Sequence, residues 1–188
     1  MNVTHFKHIC LALAVVGLAA GCATAPGPNL YTLNMTPASG DSGGVQIAVG
    51  RLRISEALQN KRILIKKSPT EIEYYAAAQW AAGLDELLAE KLGAEFGQPD
   101  PAGATCVLSG TLLAFEQIDG ATGAEAHVRF AVEIRKEGTS YYSPPALAKT
   151  YDVRLPVAEP TAGGVVRSLS ECLEQVAREI VADTSALG

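Results

Sequence analysis

Hydrophobic and polar residues alternate along much of the chain, with the period of two that is typical of half-buried β-strands. The clearest run covers residues 125–136, in which Ala126, Val128 and Phe130 alternate with His127 and Arg129. This alternation predicts one buried face and one wet face. The other predicted strands cover residues 31–33, 45–54, 62–67, 71–75, 105–117 and 146–155.

At two places the hydrophobic period changes to 3.6, which indicates an amphipathic helix. Leu84, Leu88 and Leu92 lie on one face of a helix predicted over residues 80–96, and Gly97 and Pro99 end it. A second helix is predicted over residues 163–184, with an apolar stripe made of Val165, Leu169, Cys172, Leu173, Val176 and Ile180. Each helix therefore has one face to bury.

The predicted order of elements is β-β-β-β-α-β-β-β-α, with a Ser/Gly/Pro-rich loop over residues 36–44. One sheet and two one-sided helices bury their apolar faces most economically in two packed layers. The predicted fold class is therefore α/β (α+β), a two-layer sandwich. Its sheet is mixed or antiparallel, has about six to seven strands and is covered by the two helices.

The N-terminus has the pattern of a secreted, lipid-modified protein. An uncharged run follows Lys7 and His8 and ends in small residues before Cys22, as in a lipobox, so residues 1–21 are predicted to be a signal peptide. Cys22 would carry the lipid, residues 22–29 would be a tether, and residues 30–188 a single domain. The alternatives are an ordinary signal in which Cys22 is incidental and, less favoured because the run is short, a permanent membrane helix. Ala23 after the cysteine favours the outer membrane.

The chain is mildly acidic, with a formal net charge of −5. Nucleic acids are bound by clustered cations, so this charge argues against a nucleic-acid partner. The cations are nevertheless uneven, because six of them lie between residues 51 and 67. This basic stretch could contact an acidic partner or lipid headgroups, or it could simply be a solvated strand face. The candidate contact residues are Arg51, Arg53, Arg62, Lys66 and Tyr74.

Cys106 and Cys172 are the two cysteines of the predicted domain, and both are expected to point into the interior between helix and sheet. In an oxidising periplasm they could form a disulfide, which would stabilise the fold by roughly 4 kcal/mol. The alternative is two buried thiols that lie too far apart to join.

Candidate catalytic groups are few. His127 is the single histidine after the signal peptide, and it lies on the polar side of its strand, where a structural or solvent-exposed role is expected. A nucleophile with an ordered base is not evident, nor is a set of ligands for a transition metal. The sequence therefore predicts a binding protein, with no catalytic residues, no metal and no cofactor.

Several segments resemble the ABC-type transport auxiliary lipoproteins, the PqiC-like family. The similar segments are Tyr31-Thr32-Leu33, the run Ile47–Ile54, Leu58, Arg62-Ile63, Tyr74-Tyr75, and Trp80-Ala81 with Leu84-Asp85. They occur in the family's order and spacing over about residues 30–183. The chain departs from the family at Arg51, where a proline is usual, and at residues 55–58 and 80–82.

The resemblance implies an outer-membrane lipoprotein that faces the periplasm and assists an ABC-type system moving lipid or another hydrophobic substrate. Its implied partners are a mammalian-cell-entry (MCE) domain protein and the permease and ATPase of that system, which the lipoprotein would dock to the outer membrane. One alternative is a lipid carrier with an acyl chain held between helix and sheet. Another is a general envelope-integrity lipoprotein that works without a transporter.

Overall fold

The computed structural model describes residues 27–35, 46–97, 104–140 and 142–186. These residues form seven strands and two α-helices in the predicted order. The elements are β1 (Asn29–Tyr31), β2 (Ile47–Ile54), β3 (Arg62–Ser68), β4 (Glu71–Trp80), α1 (Leu84–Glu95), β5 (Cys106–Gly120), β6 (Gly123–Lys136), β7 (Leu147–Pro156) and α2 (Ala162–Ser185), with a short 3-10 helix (Glu56–Gln59) after β2. Neither helix of the described chain is long and apolar enough to span a bilayer.

The strands form one mixed sheet in the order β1-β4-β3-β5-β6-β7, and β2 also pairs with β5. Strand β5 has 15 residues, so it can pair with two shorter strands along the same edge. The first half pairs with β2, as in Ile54↔Leu112, and the second half pairs with β3, as in Leu64↔Glu116. Both pairings are parallel, whereas β5, β6 and β7 are antiparallel to one another. The mixed sheet of the predicted sandwich is confirmed.

Both helices lie on one face of this sheet. Lys149, which pairs with Val132, bonds to Asp183 of α2, so the Val132 side of β6 faces that helix. Phe115 points to the same side of the sheet as Val132. Trp80 packs on Phe115 with ring centroids 5.5 Å apart and lies beside the start of α1, so this helix is on the same side as α2. We call the opposite side of the sheet the outer face.

The core confirms the periodic patterns of β6 and α2. The predicted apolar residues of β6, from Ala126 to Ile134, are at most 2% exposed. All six residues of the predicted α2 stripe are fully buried. Full burial of such side chains contributes roughly 1.5–3 kcal/mol each, which fixes the helix on the sheet. Thr161 caps the first turn of α2 by accepting a hydrogen bond from the Gly164 N–H at 3.2 Å.

Trp80 was predicted to begin the first helix, and this prediction is wrong. It is the last residue of β4, where its N–H donates to the Lys61 carbonyl at 2.7 Å and it pairs with Tyr31. The helix begins at Leu84, after a bend. The tryptophan is apolar enough to fit either period, so strand pairing decided its conformation.

The first strand was predicted over residues 31–33 but covers Asn29–Tyr31 in the structure, although Leu33 is buried.

Several predictions fall on parts of the chain that the structure does not describe. They are the signal peptide at residues 1–21, the lipidated Cys22 with most of the tether at 22–29, and the loop at 36–44.

Candidate functional site

A row of paired residues crosses the outer face of the sheet and includes two buried ionisable groups. The register pairs Leu64 with Glu116, Glu116 with His127, and His127 with Arg154. Paired residues on neighbouring strands point to the same side of a sheet. Yet Glu116 is only 6% exposed and His127 only 5%. The sequence predicted that this face of β6 is exposed to water, and this prediction is wrong at His127. Of the two roles expected for His127, structural or solvent-exposed, burial favours the structural one.

His127 lies between two carboxylates. Its Nδ1 is 3.2 Å from Glu116 Oε1 and its Nε2 is 3.0 Å from Asp152 Oδ1. An ionised carboxylate can only accept hydrogen bonds. The imidazole can therefore donate to both carboxylates when both of its nitrogens carry hydrogen. Lys66 lies 4.0 Å from Glu116, and Arg129 lies 3.7 Å from Asp152. We call Glu116, His127 and Asp152 the ionic cluster; its members join β5, β6 and β7.

A groove of about 650 Å³ lies on the outer face over the first half of β5. One row of its floor is Arg53, Thr111, Ala131 and Thr150, which pair in turn across β2, β5, β6 and β7. The next row is Ser109, Glu133 and Ala148. Most of these side chains are small, so the backbone of the sheet forms a shallow floor. We call this feature the outer groove.

Arg51 and Arg53 form one wall of the outer groove. Both side chains are exposed, and neither takes part in a hydrogen bond or ion pair with any described residue. Arg135 also lines the groove, but its guanidinium donates to the Ser143 carbonyl and lies 3.4 Å from the Glu133 carboxylate. The groove therefore has a positive wall on a chain whose net charge is −5.

The five candidate contact residues lie on β2, β3 and β4, on the same side of β5 in the strand order, but they do not form one patch. Arg53 pairs with Thr111 and Lys66 pairs with Ile118, so seven β5 positions, or about 23 Å, separate them. Lys66 is near Glu116, and the Tyr74 hydroxyl donates to the Ala57 carbonyl at 2.9 Å. Arg62 is exposed at the start of β3. Only Arg51 and Arg53 line the groove.

The structure does not join Cys106 to Cys172, and both are buried free thiols. Cys106 pairs with Lys136 at one end of β6, whereas the Cys172 Sγ donates to the Ala126 carbonyl near the other end, at 3.6 Å. Ten residues of strand span about 33 Å. A disulfide needs Cα atoms within about 7 Å, so the bridge is wrong for this fold and the alternative of two distant thiols holds.

A second polar cluster attaches α2 to the sheet. The Lys149 ammonium and the Tyr151 hydroxyl donate to Asp183 Oδ2 at 2.7 and 2.8 Å. These two hydrogen bonds hold the pKa of Asp183 below its ordinary value. Burial, with Asp183 nearby, raises the pKa of Tyr151. The cluster therefore favours a charged Asp183 and a neutral Tyr151 in the folded protein.

A smaller groove of about 230 Å³ opens between the 3-10 helix and the start of α1. Trp80 forms part of its lining but is only 2% exposed, so the groove offers little aromatic surface. Ligand pockets are typically about 300–1,000 Å³, and this one is below that range. Among the described residues, no three His, Cys, Asp or Glu side chains are grouped as metal ligands.

Sequence reasoning did not find Ser109, Thr111, Glu133, Arg135 and Thr150 as groove residues. Each is a small or charged residue on an alternating strand, which looks like ordinary solvated surface. Only the pairing of β2, β5, β6 and β7 brings them beside Arg51 and Arg53. The local signal that could have been used is the set of small side chains at neighbouring outer positions of three strands, which are Ser109, Thr111, Ala131, Ala148 and Thr150.

Comparison with known proteins gives a family match and two similar folds. The model of the ABC-type transport auxiliary lipoprotein component family matches residues 31–181. No curated protein matches the chain in sequence. The crystal structure of protein XCC0632 from Xanthomonas campestris, assigned to the family model DUF330, has a TM-score of 0.69 and 19% identity, and the match covers 85% of this chain and 96% of that one.

A second crystal structure, of an uncharacterized protein, has a TM-score of 0.66 and 14% identity, and the match covers 85% of this chain and 99% of that one. At these identities the two likenesses show a shared fold. The family match, in contrast, covers nearly the whole domain and includes the segments from Tyr31 to Asp85 that resemble the family.

Proposed function

The chain belongs to the ABC-type transport auxiliary lipoprotein component family, and from this membership we propose that it is a non-enzymatic accessory of an ABC-type transport system with an MCE-domain protein. It is held at the periplasmic side of the outer membrane by lipid on Cys22. It docks the MCE-domain protein, and through it the permease and ATPase, to that membrane. The transported substrate is a lipid or another hydrophobic molecule. The observation that carries this proposal is the family match over residues 31–181.

The anchor follows from the residues that precede the domain. Cys22 follows small residues in a lipobox-like order, and β1 begins at Asn29. Seven residues span at most about 25 Å, so lipid on Cys22 would keep the domain close to the bilayer. Buried acyl chains contribute about 0.8 kcal/mol per methylene, so several chains make a durable anchor without a protein span.

The docking surface that the geometry supports best is the outer face of β3 and β4. Ile72 pairs with Lys66 on this face and is 48% exposed, although it is a large apolar residue in a strand. Tyr74 follows two positions along the strand, and the exposed Arg62 lies at the other end of β3. An apolar anchor beside cations and a tyrosine has the composition that protein interfaces favour.

The test is site-specific photocrosslinking in cells that express the whole chain. A photoreactive residue at Ile72 on the outer face should crosslink to an MCE-domain protein. The same residue at Arg178, which is exposed on α2 on the opposite side of the sheet, is the matched control and should not. Crosslinks from position 178 alone, or no MCE product from either position while the protein stays at the membrane, contradict the docking role.

Cys22→Ser tests the anchor independently of docking. Without the thiol no diacylglycerol can be attached, so we expect the protein to leave the outer-membrane fraction. An unchanged distribution between membrane and soluble fractions contradicts lipid anchoring at this residue. Fractionation and crosslinking together distinguish an anchored adaptor from an envelope-integrity lipoprotein, since the latter would be anchored without crosslinking to a transporter.

The lipid-carrier alternative gains no support from the described interior. It requires a cavity between helix and sheet, but the residues that meet there, including Leu88, Leu108, Phe130 and Leu173, are completely buried in one continuous core. The outer groove opens on the opposite side of the sheet, and the smaller groove, which opens at the surface beside the start of α1, has a volume of only about 230 Å³. We therefore propose binding at the surface of the domain.

A further inference from the structure

We propose that the outer groove is an anion site for a phosphate group, with Arg51 and Arg53 as the charged donors and the hydroxyls of Ser109, Thr111 and Thr150 as the neutral ones. The inference goes beyond docking and does not depend on it, because the groove is a different part of the outer face. Thr111 of the groove lies about 23 Å along β5 from Ile118, which is beside the Lys66–Ile72 pair of the docking surface. The phosphate could belong to a lipid headgroup or be free in solution.

The strand register places donors around a single space. Arg51 and Arg53 are two residues apart on β2 and both line the groove, so their side chains lie on the same side of the sheet. The β2–β5 register is irregular between Val49 and Leu52, and Arg53 pairs regularly. Arg53 pairs with Thr111, and Thr111 and Thr150 both pair with Ala131. Ser109 is two residues before Thr111 and points to the same side. The two guanidiniums thus form a wall beside a floor of three hydroxyls.

These donors have no hydrogen-bond acceptor or ion-pair partner among the described residues. Neither the two guanidiniums nor the side-chain hydroxyls of Ser109, Thr111 and Thr150 form a hydrogen bond or ion pair with a described residue. In the ionic cluster, by contrast, every charged group has a partner within 4.0 Å. Two adjacent uncompensated arginines repel each other, so an anion between them lowers the electrostatic energy of the fold.

Among the described residues that line the groove, Glu133 is the one opposing charge. Its carboxylate lies 3.4 Å from the Arg135 guanidinium, which offsets much of its field. Lys149 also lines the groove, but its ammonium bonds to Asp183 on the other side of the sheet and therefore adds no charge to the groove. The lining therefore has an excess of positive charge, and Glu133 should weaken anion binding without abolishing it.

The donor set fits phosphate better than carboxylate. One arginine fork already satisfies a carboxylate, which has two oxygens in one plane. A phosphate group is tetrahedral and has at least two charged oxygens, so it can use both guanidiniums and the hydroxyls below them. The small floor residues let such a group approach the sheet closely. An acidic peptide segment is the competing ligand, and it enters the test as an outcome.

The test uses the mature lipidated protein in maltoside detergent and a buffer free of phosphate and sulfate. Isothermal titration is done with inorganic phosphate, glycerol phosphate, dihexanoyl phosphatidylglycerol and a glutamate-rich peptide. We expect phosphate compounds to bind, with Arg51→Gln and Arg53→Gln each weakening the affinity about tenfold or more. Glu133→Gln should strengthen binding several-fold.

Two variants outside the groove control for unspecific charge effects. Arg62 and Arg167 are exposed cations on β3 and on α2, so Arg62→Gln and Arg167→Gln remove the same charge elsewhere. Both should bind phosphate as the parent does, and circular dichroism should show all variants folded.

Three results would overturn the proposal: equal weakening of binding by all four arginine variants, no binding of any phosphate compound, or binding of the peptide alone. Tighter binding of the lipid than of the two soluble phosphates assigns the site to a headgroup, and equal binding assigns it to free phosphate; both results support the site.

Discussion

The Nδ1 atom of His127 lies 3.2 Å from the Glu116 carboxylate on the neighbouring strand, and both side chains are more than nine-tenths buried. The other ring nitrogen reaches Asp152, which is about half exposed and therefore in contact with water. A charge buried this deeply is stable only while its partners are present. The ionic cluster consequently makes the stability of β5, β6 and β7 mutually dependent.

Replacing His127 with alanine should destabilise the protein by about 1–3 kcal/mol, because the buried Glu116 carboxylate loses its main partner. Urea unfolding followed by circular dichroism measures the change. The double variant His127→Ala with Glu116→Ala should lose clearly less stability than the sum of the losses of the two single variants, since neither group is left unpaired. Additive losses would mean that the two side chains do not interact. Arg154→Ala, at an exposed position in the same row, is the control and should change stability little.

Asp183 should contribute stability that depends on pH. Hydrogen bonds from Lys149 and Tyr151 lower its pKa, so the folded state binds a proton less readily than the unfolded state. Its contribution is then complete at neutral pH and is lost as the pH falls from about 4 through the lowered pKa. The side chain is 33% exposed, so water screening limits the effect to about 1 kcal/mol.

The matching experiment compares the unfolding free energy of Asp183→Asn with that of the parent at pH 7 and pH 3. We expect the variant to be less stable at pH 7 and the difference to shrink at pH 3. A difference that stays constant over this range would show that the charge of Asp183 makes no contribution. Asp119, whose pKa is lowered by hydrogen bonds from Lys67 and Gln117, titrates in both proteins and so cancels in the comparison.

The thiols of Cys106 and Cys172 should remain reduced and unreactive in the folded protein. Both are buried, and burial raises the pKa of Cys172 to about 12, so little thiolate forms at neutral pH. In the mature lipidated protein, which lacks Cys10 and has lipid on Cys22, maleimide labelling followed by mass spectrometry should find no modification of the native state and two modifications after unfolding in urea. An intact mass two hydrogens lower under non-reducing conditions, with no labelling in urea, would show the disulfide that the fold excludes.

Replacing each of two adjacent glycines of α2 with alanine should change the stability of the protein differently. A Cβ at Gly164 would meet the Glu159 carbonyl oxygen at a distance that real Cβ atoms do not show. At Gly163 the nearest atom is Tyr31 Cε1 at 3.9 Å, which is an ordinary contact. We expect Gly164→Ala to lower the unfolding free energy by about 1–3 kcal/mol. Gly163→Ala should leave it unchanged or raise it by up to about 1 kcal/mol, since alanine favours the helix.

Thermal and urea unfolding of both glycine variants check this pair. Equal effects of the two substitutions would mean that α2 begins differently and that Gly164 does not approach Glu159.

The local elements could be read from the sequence because the signals that specify them lie within a few residues of one another. The alternation from Ala126 to Ile134 and the stripe from Val165 to Ile180 each require a one-sided environment, whatever surrounds it. The order of elements, the two layers and the family followed from these signals and from the segments around Arg51 and Trp80. Trp80 itself was placed wrongly because its conformation depends on pairing with Tyr31, far along the chain.

Tertiary structure alone decided which residues meet. Strand β5 accepts both β2 and β3 on one edge and β6 on the other, and the resulting register sets Glu116 beside His127 and Arg53 beside Thr111. The same register separates Cys106 from Cys172 by most of the length of β6. Periodicity shows that a strand has an inner and an outer side, but a shift of the pairing by two residues preserves those sides and changes every neighbour. Contacts between distant segments therefore depend on the packing of the whole sheet.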